Sequence, residues 1–327
     1  MRLRSVMLLA ALLSASAHGA ALRQAQGERA PAYPSKPVRI VVAFGPGGIA
    51  DTIGRLVSQK LATRLGQPMV VDNRAGGGGT VGARIVTSAA ADGHTLLVTT
   101  AAIAVNANAP KEALDPRTQL TPIALAASAP TIFAVHRSVS AKGLLDYVRN
   151  AKSGRFTYST AGVGTTEHLS AEFLFRSAPG LEGTHVPFQG GAAPVAAVVA
   201  QQVDLTSTTV PTAYPFIKQG TLRVLAIASR KRNAVLPDVP TLAESGFPAF
   251  ENASWIAFFA PSRVPPGIVQ TLNAEVNAAL RAPDVRERLS LLGFDTQTMS
   301  AAEFAAYVRS EVEKWAKVIK ATGIAPQ

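Results

Sequence analysis

Apolar residues recur along this chain in two alternating rhythms. Val38–Phe44 (VRIVVAF) is an almost unbroken apolar run, the pattern of a strand covered on both faces. Gly45-Pro46-Gly47-Gly48 ends it. Ile53, Leu56, Val57, Leu61 and Leu65 then recur at helical spacing, and Gly66 with Pro68 predicts the stop. The cycle repeats. Met69–Asp72 reads as a short strand, Gly76–Gly79 opens a helix over about 80–91, and Thr95–Thr100 reads as a strand. A loop rich in Ala, Asn and Pro precedes Ile123–Val135, which Pro130 is expected to break.

A helix is predicted over 140–151, and Phe156–Thr160 reads as a strand leading through Ala161-Gly162-Val163-Gly164 into a helix carrying Leu169 and Phe173. Thr184–Pro187 leads through Gly190-Gly191 to a helix over 192–201. Val203–Thr208, a helix over 211–219 and Leu222–Ser229 complete the alternation. The last third reads as helical, over 266–281, 284–292 and a final segment to Ala321, where Ser300 and Glu303 form a capping box. Strand, glycine loop and helix in repetition predict an α/β fold with largely parallel sheets. Ligands of such sheets sit beyond the carboxyl ends of the strands. That singles out the turns at 44–52, 73–82, 99–108, 159–168, 187–194 and 207–214.

The N-terminus has a different grammar. Arg2 and Arg4 precede an apolar run from Val6 to Leu13, and Ala15-Ser16-Ala17, Ala17-His18-Gly19 or Gly19-Ala20-Ala21 offers a cleavage site. The run is shorter than the roughly 20 residues of a membrane span. Residues 1–21 therefore read as an export signal and 22–33 as a loose leader, with a buried N-terminal helix as the alternative. The chain contains no cysteine, so none can carry a lipid after the signal. A free periplasmic protein is expected.

Composition narrows the chemistry. The 327 residues are 47% hydrophobic and 16% charged, which is core-forming material of about two domains. Without cysteine there is no disulfide framework, thiol nucleophile or Cys-ligated zinc. The net charge of +11 raises nucleic-acid binding, but its densest cluster, Arg230-Lys231-Arg232, is short and lacks interleaved aromatics. A field attracting small anions is the better use of that charge. No histidines stand at helical ligand spacing, so neither a metal nor a cofactor is expected. Gly77–Gly82 matches G-x-G-x-x-G, yet the following strand ends in Thr99 and Thr100, where a dinucleotide fold needs an acidic residue. Gly45–Gly48 lacks the Lys-Ser/Thr ending of a P-loop. Ser159 or Ser170 with His168 and Asp204 leaves a Ser–His–Asp hydrolase open, beside the plainer reading of His168 as a structural histidine. The glycine loops share backbone N–H groups at helix starts. These either make tight turns only or converge on a carboxylate.

The resemblance becomes specific across VRIVVAFGPGGIAD, GQPMVVDNRAGGGGTVGA, ADGHTLLVTT, FTYSTAGVGTTEHLSAEFLF, HVPFQGGAAPVAAVVAQQVDL, LPDVPTLAESGFP and WIAFFAPSRVPPGIVQTLNAEVNAAL. In order and spacing, from about Tyr33 to Ile324, the chain resembles the substrate-binding proteins of tripartite tricarboxylate transporters, the Bug or TctC-like family. The resemblance implies a type II periplasmic-binding-protein fold, two α/β lobes joined by crossing strands near Ala126–Val135 and Trp255–Ala260. Lobe one would be 34–130 plus 252–327, and lobe two 131–251. It implies a monomer with no enzymatic activity that captures a small organic acid and delivers it to integral-membrane transporter subunits. A binding protein serving a sensor kinase is the alternative, ahead of a hydrolase using His168.

Carried over by motif, the ligand site is Phe44, Pro46, Gly47 and Gly48, facing Thr160, Ala161, Gly162, Gly164 and Thr165. Thr100, Ala101, Phe188, Gln189, Gly190, Thr208 and Thr209 would read the rest of the ligand. Asp51 matches a family position but sits in a first helical turn, which favours capping over ligand contact. Four departures bear on the ligand. His94 stands where the family usually has Tyr. Phe188-Gln189 replaces Tyr followed by Lys or Arg. Asn106–Arg117 is short, and Ser207-Thr208-Thr209 lacks the commoner Asp or Asn. Loss of the cation points toward a monocarboxylate or a less charged ligand.

Overall fold

In the computed structural model, residues 33–109, 114–150, 155–176, 182–247 and 251–323 are described. The expected export signal lies outside these residues, as does the leader up to Tyr33. The first element is strand β1 (Val38–Val42), whose residues are almost wholly buried. It then turns through the first glycine loop into α1 (Ile49–Leu65), which Gly66 ends in a left-handed cap. β2 (Met69–Asn73), α2 (Thr80–Thr87), β3 (Thr95–Thr100) and the short α3 (Ala102–Asn106) follow. After α4 (Pro116–Gln119), β4 runs unbroken from Leu120 to His136.

The second half of the alternation is α5 (Leu144–Asn150), β5 (Arg155–Thr160), α6 (Thr166–Arg176), β6 (Glu182–Pro187), α7 (Ala193–Val199), β7 (Leu205–Thr209), α8 (Val210–Lys218) and β8 (Leu222–Ile227). The chain returns through β9 (Ala253–Pro261) and closes with α9 (Pro266–Arg281), α10 (Pro283–Leu291), a two-residue β10 (Asp295–Thr296) and α11 (Ala301–Thr322). The Ser300–Glu303 capping box that starts α11 is formed.

The strand order is β2-β1-β3-β9-β4-β7-β5-β6, with β8 and β10 also on β4. Pairing is parallel on both flanks, β2-β1-β3 and β7-β5-β6. Every pairing made by β4 and β9 is antiparallel. The expectation of largely parallel sheets therefore holds for the flanks and fails at the centre, where the chain crosses out along β4 and back along β9. These are the crossing strands of a two-lobed α/β fold.

Pro130 does not break β4, contrary to the sequence expectation. It pairs with Ala253 of β9 at the point where β4 leaves one sheet for the other. On its other edge, β10 pairs at Ala127 and Ser128, and β7 begins only at Thr131. The missing N–H falls in the gap between partners, where no ladder bond needs it.

Each lobe has its own core. In the first, Trp255, Phe259 and Phe304 pack with ring centroids 5.3–6.5 Å apart. In the second, Phe156, Tyr158 and Phe175 pack edge-on or tilted on one face of the sheet, and Ile132, Val195, Val198 and Val210 lie on the other. Burial of large aromatic and branched side chains on both sheet faces is what fixes the loops at the strand ends.

Candidate functional site

The first glycine loop is held from within its own lobe. Asp51, in the first turn of α1, accepts the Gly47 N–H at 3.0 Å, Arg55 Nε at 2.9 Å and Asn73 Nδ2 at 3.0 Å. Asn73 also donates to the Phe44 carbonyl. Burial alone would raise the Asp51 pKa, but these donors outweigh it and hold the carboxyl below its usual range. Its oxygens serve the loop, in line with the capping role expected for it.

The loops of the two lobes touch. Gly45 N–H donates to the Gln189 carbonyl at 2.9 Å, and Ala192 N–H to the Pro46 carbonyl at 3.2 Å. A Cβ on Gly48 would lie 3.0 Å from the Gly191 backbone. A second contact stands beside the first. Asn106 Nδ2 donates to the Gly78 carbonyl, and Gly78, at φ +59°, approaches Val163 so closely that a Cβ would meet its carbonyl at 2.4 Å. Only glycine permits backbones this near each other.

Between these contacts lies a small cavity, of which about 30 Å³ would admit the centre of a water molecule. Phe44, Gly48, Thr100, Ala161, Thr165, Gly190, Thr208 and Thr209 line it, all of them expected from the sequence. Ile49, Ala50, Glu167, Gly191 and Thr212 line it too and were not singled out, although all lie within turns marked as ligand-bearing. Glu167 stands just before His168, and Thr212 one helical turn beyond Thr209, which are the signals that could have found them.

The other expected residues sit around the cavity rather than on its wall. Pro46 and Gly47 are exposed at the loop tip, and Gln189 is exposed where its carbonyl receives Gly45. Ala101 is buried and donates its N–H to Trp255. The Thr160 hydroxyl bonds His185 Nε2 at 2.7 Å. Gly162 lies against Gly78 and the Phe188 carbonyl, and Gly164 N–H donates to His168 Nδ1 at 3.4 Å. Phe188 packs on the second-lobe core.

Helices α1, α6 and α8 all begin at the cavity wall. Their first N–H groups have no acceptor within their own helix, and their dipoles favour negative charge. Thr165 caps α6, its hydroxyl accepting from His168 N–H and donating to the Gly162 carbonyl. Thr209 and Thr212 share a hydroxyl bond at 3.0 Å. The arrangement offers donors to an anion from both lobes. A larger open groove of about 970 Å³, lined by Trp255, Arg286 and Tyr307, includes none of the glycine loops.

The Ser–His–Asp alternative finds no geometry. His168 stacks on His185 at 4.2 Å between centroids, and His185 stacks in turn on Tyr158. Ser159 and Ser170 donate to main-chain carbonyls, while Asp204 accepts from Thr157. Burial, then the neighbouring His168, takes the His185 pKa down to about 3. Among the described residues no cluster of three or more His, Cys, Asp or Glu side chains is placed to hold a metal ion. No helix among them is long and apolar enough to cross a membrane.

Known proteins share both sequence and fold with this chain. BugT of Bordetella pertussis is 30% identical over 299 residues, covering 89% of this chain and 90% of its own length. Two solved structures from Rhodopseudomonas palustris superpose closely. MatC with bound malate is 35% identical at a TM-score of 0.81, over 88% of this chain and all of its own. Rpa4515 with adipate is 32% identical at a TM-score of 0.85, over 90% of this chain and all of its own. The profile of the "Tripartite tricarboxylate transporter family receptor" matches residues 53–324. With most of its length matched and its two-lobed fold shared, this chain belongs to the TctC family of tripartite tricarboxylate transporter receptors, the solute-binding Bug proteins.

Proposed function

We propose that this chain is an exported, periplasmic binding protein that captures a small organic carboxylate between its lobes and delivers it to integral-membrane subunits of a tripartite tricarboxylate-type transporter. The observation that carries this reading is the cavity itself, walled by glycine loops and helix starts from both lobes and lined with threonine hydroxyls. Malate and adipate in two relatives support a carboxylate as the ligand. The lobes are taken as 34–130 plus 252–327 and 131–251, with the change of sheet along β4 at Pro130 and Thr131 as their seam.

In this reading the main chain of the Phe44–Gly48 loop and of the Thr160–Thr165 loop donates to one ligand carboxylate. Such donors are fixed in place by the folds of their loops, so little order has to be created on binding. Admission of ligand parts the Gly45–Gln189 and Ala192–Pro46 bonds, and closure re-forms them around it. Ligand binding energy thereby selects the closed form, which a membrane partner can distinguish from the open one.

The test is a thermal-shift panel of mono-, di- and tricarboxylates, amino acids and aromatic acids on refolded protein freed of carried-over ligand. A ligand at a hundredfold over its dissociation constant adds about 2.7 kcal/mol, which is several degrees for a chain of this size. Gly48→Val should abolish the shift of the best ligand while the variant still melts cooperatively. A folded variant with unchanged affinity would remove this loop from the site.

A further inference from the structure

The cavity contains one ionisable side chain, and no cation in its wall answers that charge. Of the thirteen lining residues, Glu167 alone is acidic, and none is Lys, Arg or His. Glu167 is only 5% exposed. The Thr166 hydroxyl donates to its Oε2 at 3.2 Å, and among the described residues no Lys or Arg forms an ion pair with it. Its place is fixed from the neighbouring strand, because the Ser207 hydroxyl donates to the Glu167 carbonyl at 2.8 Å.

A buried carboxylate without a cation is costly, and proteins normally pair such groups. Burial pushes the Glu167 carboxyl up, and the nearby hydroxyls offset only part of that. In a sealed core the group would stay neutral. In a ligand cavity its partner can arrive with the ligand. The helix starts and glycine loops supply donors, which suit a carboxylate. Glu167 is the one ionisable acceptor, which suits a cation. A second carboxylate on the ligand would bring another negative charge into a wall with no Lys, Arg or His.

We propose that Glu167 sets the ligand class, selecting a carboxylate that also carries an ammonium group, an amino acid in the broad sense, over a dicarboxylate of equal length. The inference rests on the binding-protein reading above. Glu167 is a specificity-determining residue here, its carboxylate pairing with the ligand ammonium as the lobes close.

The test is calorimetric titration of the refolded chain with matched acids of three to six carbons. Each length is represented by the ω-amino acid, the plain monocarboxylate and the dicarboxylate, and alanine and aspartate are added. The expected result is an aminocarboxylate bound at least about tenfold tighter than the dicarboxylate of its length. Glu167→Gln, which keeps shape and removes charge, should lower that ratio by about tenfold or more. A role confined to capping α6 would not move the ratio.

A dicarboxylate bound as tightly as its amino counterpart, or a ratio unchanged in Glu167→Gln, overturns the assignment. If the variant does not fold, the wild-type ratio decides alone. Binding of no member by a wild type that melts cooperatively overturns the binding-protein reading itself, and is thereby distinguished from failure of the Glu167 assignment.

Discussion

Gly191 faces the carbonyl oxygen of Pro46 across the gap between the lobes, and a Cβ at Gly191 would stand 2.3 Å from that oxygen. The glycine is also at φ +68°, where a side chain is strained even in open space. The clash falls on the closed form alone if the lobes part at this point, whereas the backbone strain stays in both forms. Gly191→Ala is therefore expected to weaken the tightest ligand of the carboxylate panel by about tenfold or more. Isothermal titration of wild type and variant checks it, and equal affinities would show that this contact does not limit closure.

The His168–His185 stack predicts acid sensitivity. The folded pKa of His185 is about 3, below the ordinary value of 6.5. Between those values the unfolded chain binds more protons than the folded one, so acidification favours unfolding. The stability contribution is complete above pH 6.5 and declines as pH falls toward 3. His185→Gln should flatten this dependence relative to wild type in melting curves from pH 7 to pH 4. Parallel curves would mean that the stack does not set the slope.

Trp255 and Glu311 make a buried polar pair in the first lobe, with the indole N–H donating to Glu311 Oε2 at 3.0 Å. Glu311→Ala leaves that N–H buried without an acceptor, a loss of about 1–3 kcal/mol. The melting temperature should drop by several degrees with ligand affinity unchanged, because neither residue lines the cavity. Denaturant unfolding and titration of the same variant measure the two effects separately.

The start of α11 offers a smaller and more local effect. Ser300 accepts the Glu303 N–H, and Glu303 reaches back to the Ser300 N–H at 2.8 Å. Ser300→Ala should cost about 1 kcal/mol. A shift in the denaturation midpoint at constant slope would identify it as a pure stability change.

Much of this architecture is legible in local pattern. The apolar run before Gly45, the helical spacing from Ile53 to Leu65 and the Ser300–Glu303 box each specify an element through contacts near in sequence. The turns that line the cavity follow from the same reading, since strand ends in α/β sheets carry the ligands. What escaped was long-range. Pro130 is a strand breaker by local rule, and only the spacing of β10 and β7 along β4 makes it harmless. Glu167 looks like an ordinary first-turn acid, because a helix start tolerates one, and the absence of a nearby cation is a property of five separated segments. Which glycine meets which carbonyl across the gap depends on the placement of whole lobes. The sequence pairs the Phe44–Gly48 loop with the Thr160–Thr165 loop, whereas Gly45, Pro46 and Gly48 meet Gln189, Gly191 and Ala192 directly.

β4 is a single strand of 17 residues that belongs to both sheets, and β9 runs antiparallel beside it. A strand pair of this kind can bend and twist, but sliding by one residue would turn every β4 side chain to the opposite face and unmake both cores at once. Relative motion of the halves is thereby confined to rotation about a spine, with shear forbidden by register. A small change of angle at Pro130 and Ala253 is magnified with distance from that spine, so the glycine loops at the rim travel farthest while the strands that carry them stay paired.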